Sequence, residues 1–366
     1  TNGKDQLATW EQKYGRHPGV RGALAKSYFS EDKLAAAERN LKEFLKYSKD
    51  WWAYEQLADI QKQQNNLAGW QQTLEESLEQ PDYGLYHAQA RVQLANYYLE
   101  QKSFDRAIPH AERAAQTGAC WAMQCASKVH EAAGNLAESE RWVSQCTTRY
   151  RGQELEWLWW CSRNGVGDFA EAIACAEPVL DATMDRRKPA EWRVLGLCYA
   201  AAKQPRKALE LLQKATEREP APALALWDAV FAAELNETAA RDAALKLASE
   251  SQNRAADREA IELATWLQSA YAAGGLKEAR LDVAPPEIQA IRGGKNPNVQ
   301  FFLGKLLLLA GRRDDAVEYL KASAGHQEGD FWSSRLARLL LAEQGIQVER
   351  APRKPPAAPE EKTDQG

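Results

Sequence analysis

Residues Ala190 to Pro220 read AEWRVLGLCYAAAKQPRKALELLQKATEREP, and two helices follow directly from this stretch. Trp192, Leu195, Gly196 and Tyr199 recur at a spacing that places them on one face of a helix of 3.6 residues per turn. A Lys203-Gln204-Pro205 turn comes next. Pro205 is tolerated there because the first turn of a helix has no intrahelical N–H bond to lose. Ala208, Leu212 and Ala215 then mark the apolar face of a second helix, which Pro220 closes. Gly196 and Ala208 are small enough to let the two backbones approach closely.

The same landmarks recur along the chain. A small first-helix residue stands at Ala25, Ala58, Ala95, Ser127, Gly196 and Gly304. A second column runs through Ala37, Trp70, Ala107, Ser139, Ala172, Ala208 and Ala316. Both keep a period of about 34 residues. The pattern of Trp192, Leu195-Gly196, Tyr199, Ala208, Ala215 and Pro220 resembles the tetratricopeptide repeat. That resemblance implies an all-α, right-handed superhelical solenoid of about ten helix-turn-helix units, which binds partners in its concave groove.

Turn signals fall between the helices as the register requires, at Asn65-Asn66, Lys102-Ser103, Gly134-Asn135, Gly167-Asp168 and Gly311-Arg312. Pro18, Pro81, Pro189, Pro220 and Pro297 separate units. The register weakens in three places. Trp160 stands where a small residue belongs, the Ala-rich stretch from Ala223 to Ala248 has degenerate landmarks, and Ile261 to Ile291 looks like a shortened helix pair. Phe331 to Gln344 reads as a capping helix, which a solenoid needs to cover its last apolar face. The organisation expected is a repeat array over residues 1–348 and a disordered Pro-rich, charged tail over 349–366.

Composition narrows the function. The 366 residues carry a formal net charge of −4, which argues against a phosphate-binding face and so against nucleic acid. No apolar run is long enough to span a bilayer. The sequence begins at Thr1 without Met, and the expectation drawn from that is an upstream segment that was processed or trimmed. The six cysteines, Cys120, Cys125, Cys146, Cys161, Cys175 and Cys198, form no C-x-x-C pair. Zinc, haem attachment and dithiol redox motifs therefore lack their usual spacing. Packed, reduced thiols are expected, and with them a cytoplasmic setting ahead of an extracytoplasmic one.

No catalytic, cofactor-binding or metal-binding set emerges. His130-Glu131 begins like H-E-x-x-H, but Gly134 takes the place of the second histidine. No phosphate-binding glycine motif occurs, and the five histidines are scattered. The resemblance instead directs attention to the opposite face of each first helix. Carried over unit by unit, the groove would be lined by Phe29; by Trp52, Glu55 and Asp59; by Asn96 and Leu99; by Trp121 and Lys128; by Arg193; and by Phe301 and Lys305. The basic pairs with which some members clamp a peptide carboxyl terminus are not assembled here. Trp52 and Trp121 would be anchors, and Glu55 with Asp59 would favour an amphipathic helix carrying basic residues. The expected function is a non-enzymatic scaffold for a protein or peptide. The alternative is an accessory repeat domain of a larger enzyme or of a secretion or assembly machine.

Overall fold

The computed structural model describes residues 3–251, 257–326 and 332–348, in which there are 20 α-helices and no strand. The expected tail and Phe331 lie outside the described residues. The helices fall into two units, residues 1–157 and 158–366.

Unit 1 opens with α1 (Gly3–Tyr14). Four hairpins follow: α2 (Pro18–Ser30) with α3 (Leu34–Leu45), α4 (Trp51–Gln63) with α5 (Leu67–Leu78), α6 (Leu85–Glu100) with α7 (Phe104–Ala115), and α8 (Cys120–Ala132) with α9 (Leu136–Arg149). Each is packed as the two small columns imply. Ala25 and Ala37, Ala95 and Ala107, and Ala58 and Trp70 are all buried, and Ser127 and Ser139 meet Oγ to Oγ at 3.0 Å. At the open end, α1 is tied down by Glu11, whose carboxylate accepts from Arg21, Arg39, Tyr28 and the buried Asn40.

The turns reveal a third column. Seven residues after each of the six small positions, and after Ala229, the backbone is left-handed, at Asp32, Asn65, Lys102, Gly134, Lys203, Gly311 and Asn236, with φ between 57° and 81°. The next residue's N–H then closes onto the first helix, as in Asn66 to the Gln61 carbonyl at 2.8 Å and Gln204 to the Tyr199 carbonyl at 2.9 Å. This is a C-terminal cap that satisfies carbonyls the helix leaves free.

Unit 2 takes up α10 (Glu156–Asn164) after Trp157 and continues with α11 (Phe169–Thr183). Trp160, in the small-residue column, is fully buried. A side chain of that volume cannot permit the close approach that Ala or Gly allows, so the register breaks here. Regular packing resumes in α12 (Pro189–Ala201) with α13 (Pro205–Arg218) and α14 (Pro222–Glu234) with α15 (Thr238–Ser249). A Cβ on Gly196 would meet Leu212 Cγ at 2.9 Å and the Ala208 carbonyl at 3.1 Å, so only glycine fits. The Ala-rich stretch keeps the register through buried Ala229, left-handed Asn236 and buried Leu245. Its second column holds Arg241, stacked 3.8 Å above the Tyr271 ring, which is why the sequence pattern looks degenerate.

Beyond α16 (Arg258–Ala272) comes the shortened stretch, with only the brief α17 (Pro286–Ala290), then α18 (Pro297–Leu309) with α19 (Arg313–Ala324), and finally α20 (Trp332–Glu343). These last helices do not simply extend the row. α18 packs on α14, and α20 packs on both α18 and α12. Trp227, Phe301 and Phe302 form a ring cluster, with Trp227 centroids 4.9 and 4.8 Å from the two phenylalanines. Arg335 of α20 is buried and donates to the carbonyls of Ser162 and Arg163, 173 and 172 residues away.

Candidate docking surface

The expected groove residues meet different fates. In unit 2, Phe301 and Lys305 are buried, at 1% and 7% exposure. Phe301 lies against Trp227, and Lys305 donates to Glu234 at 2.9 Å. Neither lines an open groove, because α14 of the same unit covers α18. Arg193 is exposed on α12.

In unit 1 the picture is mixed. Phe29 packs half-buried on the core formed by α2, α3 and α4. Trp52, half-buried, packs on the same core: its ring centroid is 5.1 Å from that of Phe44, and Lys26 covers it at 4.1 Å. It is a packing residue, which corrects its assignment as a free anchor. Asn96 bonds to the Val92 carbonyl of its own helix, and Leu99 packs on the neighbouring core. Asp59 and Lys128 are exposed. Trp121 is exposed at 41%.

Two of these residues, Glu55 and Trp121, border one continuous patch that the sequence reading did not single out. Trp51 opens α4, Leu85 and Tyr86 open α6, and Trp121 follows Cys120 at the start of α8. The repeat thus brings the first turns of three successive first helices side by side. Leu85 is 57% exposed and Tyr86 44%. Tyr86 stacks on Trp51, with centroids 3.5 Å apart and planes inclined by 17°. On one side of Tyr86 a shallow depression is bounded by Leu85, Gln89 and Trp121. On the other, a cleft reaches between α4, α5 and α6, lined by Trp51, Tyr54, Glu55, Leu74 and His87.

The edge of the patch is acidic. Burial, then the like charge of Asp59, raises the Glu55 carboxyl above its ordinary range. No cation pairs with either carboxylate among the described residues. His87, buried with Tyr83 edge-on at 5.4 Å, has its pKa lowered by burial although Asp82 lies 3.6 Å away. It is therefore held neutral near pH 7.

The only group among the described residues whose donors approach like metal ligands lies elsewhere in unit 1. Atoms of Glu112, His130 and Glu138 fall within 4.8 Å of one another. Glu112 bonds His130 Nε2 at 3.0 Å, and Glu138 accepts from Arg141 at 2.8 Å. No helix among the described residues is long and apolar enough to cross a membrane.

No family model and no curated protein matches the chain. Solved structures similar to the chain match at low identity. A Naa15/Naa10 complex bound to HypK-THB matches at 11% identity and a TM-score of 0.40, over 94% of this chain and 63% of that one, so this chain spans less than two thirds of it. The P58(IPK) TPR domain matches at 16% identity and a TM-score of 0.26, over 89% and 99%. A human IFIT1 dimer with m7Gppp-AAAA matches at 14% and 0.29, over 83% and 80%.

Proposed function

We propose that the chain is a non-enzymatic scaffold whose unit 1 binds a protein or peptide partner on the surface formed by Trp51, Leu85, Tyr86 and Trp121. The observation that carries this reading is the gathering of exposed Leu85, Tyr86 and Trp121 with half-buried Trp51 at three successive helix starts. Large apolar side chains left in water at one place mark an interaction surface, and rigid aromatic rings are common energetic anchors of one. Glu55 and Asp59 add a polarity to the choice. Two carboxylates that make no ion pair among the described residues favour a ligand that brings Lys or Arg. One face of an amphipathic helix, apolar with flanking basic residues, meets both demands. The same carboxylates repel a phosphate backbone, which disfavours nucleic acid. An accessory domain of a larger enzyme or assembly machine would use this surface in the same way.

The test is a fluorescence titration with two amphipathic helical peptides of equal apolar face, one flanked by Lys and the other by Glu, with a single-stranded RNA oligonucleotide as a third probe. The Lys peptide should bind best. Its affinity should rise with pH as Glu55 and Asp59 ionise, since their negative form attracts the cation. Trp121→Ala and Tyr86→Ala should each weaken it at least tenfold, the loss expected when an anchor worth about 2 kcal/mol is removed. Preference for the Glu peptide or the RNA, or indifference to both substitutions, would refute the assignment.

A further inference from the structure

The six cysteines are expected to be packing thiols, and two of them stand apart. Cys120 is the first residue of α8, and Cys146 lies one turn before the end of α9. The antiparallel hairpin sets them face to face, with the two Sγ atoms 2.6 Å apart and Cys146 Sγ also 3.8 Å from the Cys120 carbonyl. That is well inside the contact distance of two unbonded sulfurs. The backbone on either side is fixed by contacts that do not involve sulfur. Tyr150, just past α9, donates its hydroxyl to the Gly118 carbonyl at 2.6 Å. Gly118 takes a left-handed turn at φ 75°, is buried beside the Arg149 guanidinium, and leads straight into α8. The two chain segments are thus clamped together next to the pair.

We propose that Cys120 and Cys146 are a disulfide-forming pair, a modification site that staples the start of α8 to the last turn of α9. Access assigns the order of events. Cys120 is half-buried, whereas Cys146 is 1% exposed and faces Cys120. Burial, then the adjoining Cys120 sulfur, pushes the Cys146 thiol up to about 12. Cys120 is therefore the sulfur that meets an oxidant of the small-molecule disulfide class, such as glutathione disulfide. As thiolate it attacks one sulfur of the oxidant; the oxidant's S–S bond breaks, and one half leaves and takes up a proton. Cys146 then gives up its proton and attacks Cys120 in the mixed disulfide, and the second half leaves as a thiol. Two protein thiols are oxidised to one S–S bond, and one oxidant disulfide is reduced to two thiols that carry the two hydrogens.

The experiment uses the full chain, first reduced, then incubated with glutathione disulfide at mildly alkaline pH. It is next unfolded without reductant, alkylated and mapped by mass spectrometry. Four alkylated cysteines and one linked peptide pair containing Cys120 and Cys146 are expected. In Cys146→Ser, the reaction should stop with glutathione retained on Cys120. The wild-type map requires no variant to fold, so it stands even if the serine protein does not. Six alkylated cysteines, a link between any other two, or glutathione retained on Cys120 in the wild type would overturn the proposal.

Discussion

Asp228 offers the sharpest test of the packing in unit 2. It sits on α14 between Trp227 and Ala229, 4% exposed, with Oδ1 unpartnered. Burial is the main cause that raises its carboxyl to about 7 from an ordinary 3.8; the Thr216 hydroxyl opposes the rise. The folded pKa exceeds the unfolded one, so between these values the unfolded chain binds fewer protons than the folded chain. Stability due to this group is then fully present below about pH 4 and is lost as pH climbs to 7. A difference of about three pKa units at about 1.4 kcal/mol each gives a loss of about 4 kcal/mol, an upper figure for one group. Asp228→Asn cannot ionise and should escape the loss. Its advantage over wild type should be smallest at pH 4.5 and grow steadily to pH 7.5, reaching on the order of 10 °C in melting temperature for a unit of this size. Calorimetry of both proteins across that range, with hydrogen exchange in α14 to assign the transition, measures it. The readout is the slope with pH, because a constant offset from the unpartnered amide cancels. A difference that does not change with pH would mean that the carboxyl reaches water, and the dry packing around α14 would be wrong.

Further outcomes follow from the same contacts. Gly196→Val places carbon against Leu212 and the Ala208 carbonyl, and should cost about 1–3 kcal/mol in chemical denaturation while leaving peptide binding to unit 1 unchanged. Arg335→Ala deprives the Ser162 and Arg163 carbonyls of their donor, with an expected loss of about 1–3 kcal/mol in the same assay. Ending the chain before Trp332 removes α20 with its buried Leu336, Ala337 and Leu341, and should produce aggregation visible by light scattering, whereas ending it after Gln347 should not. Trp52→Ala should lower the melting temperature before it affects affinity, the reverse of Trp121→Ala, because its ring lies against Phe44.

The helical hairpins were legible because everything that specifies them is local. Gly196 predicts Ala208 and Leu212 within a single hairpin, and the left-handed residue seven positions later is fixed by the same geometry, although five of those turns use Asp, Asn or Lys where glycine would be the obvious signal. Where one element of the pattern was replaced, the replacement had a local cause that only the structure displays: Arg241 rests on Tyr271, and Trp160 fills the space that other units leave to Ala or Gly. The groove assignment failed for Phe301 and Lys305 because periodicity says which face of a helix is apolar, not which distant helix covers it. Lys305 is neutralised by Glu234, 71 residues earlier, and α20 reaches α12 across more than a hundred residues. The patch in unit 1 was only partly legible for a related reason. The groove phase reached Trp121 but not Trp51, Leu85 and Tyr86, which occupy equivalent first turns, where exposure depends on how far neighbouring helices overhang. The physical distinction between the two units follows from this. An apolar residue on a first helix must be covered by something, and in unit 2 the chain supplies the cover itself, with α14 and α20 lying over α18. In unit 1 the rings at the starts of α6 and α8 are left in water by their own unit, so the free energy of covering Tyr86 and Trp121 remains for a ligand to gain.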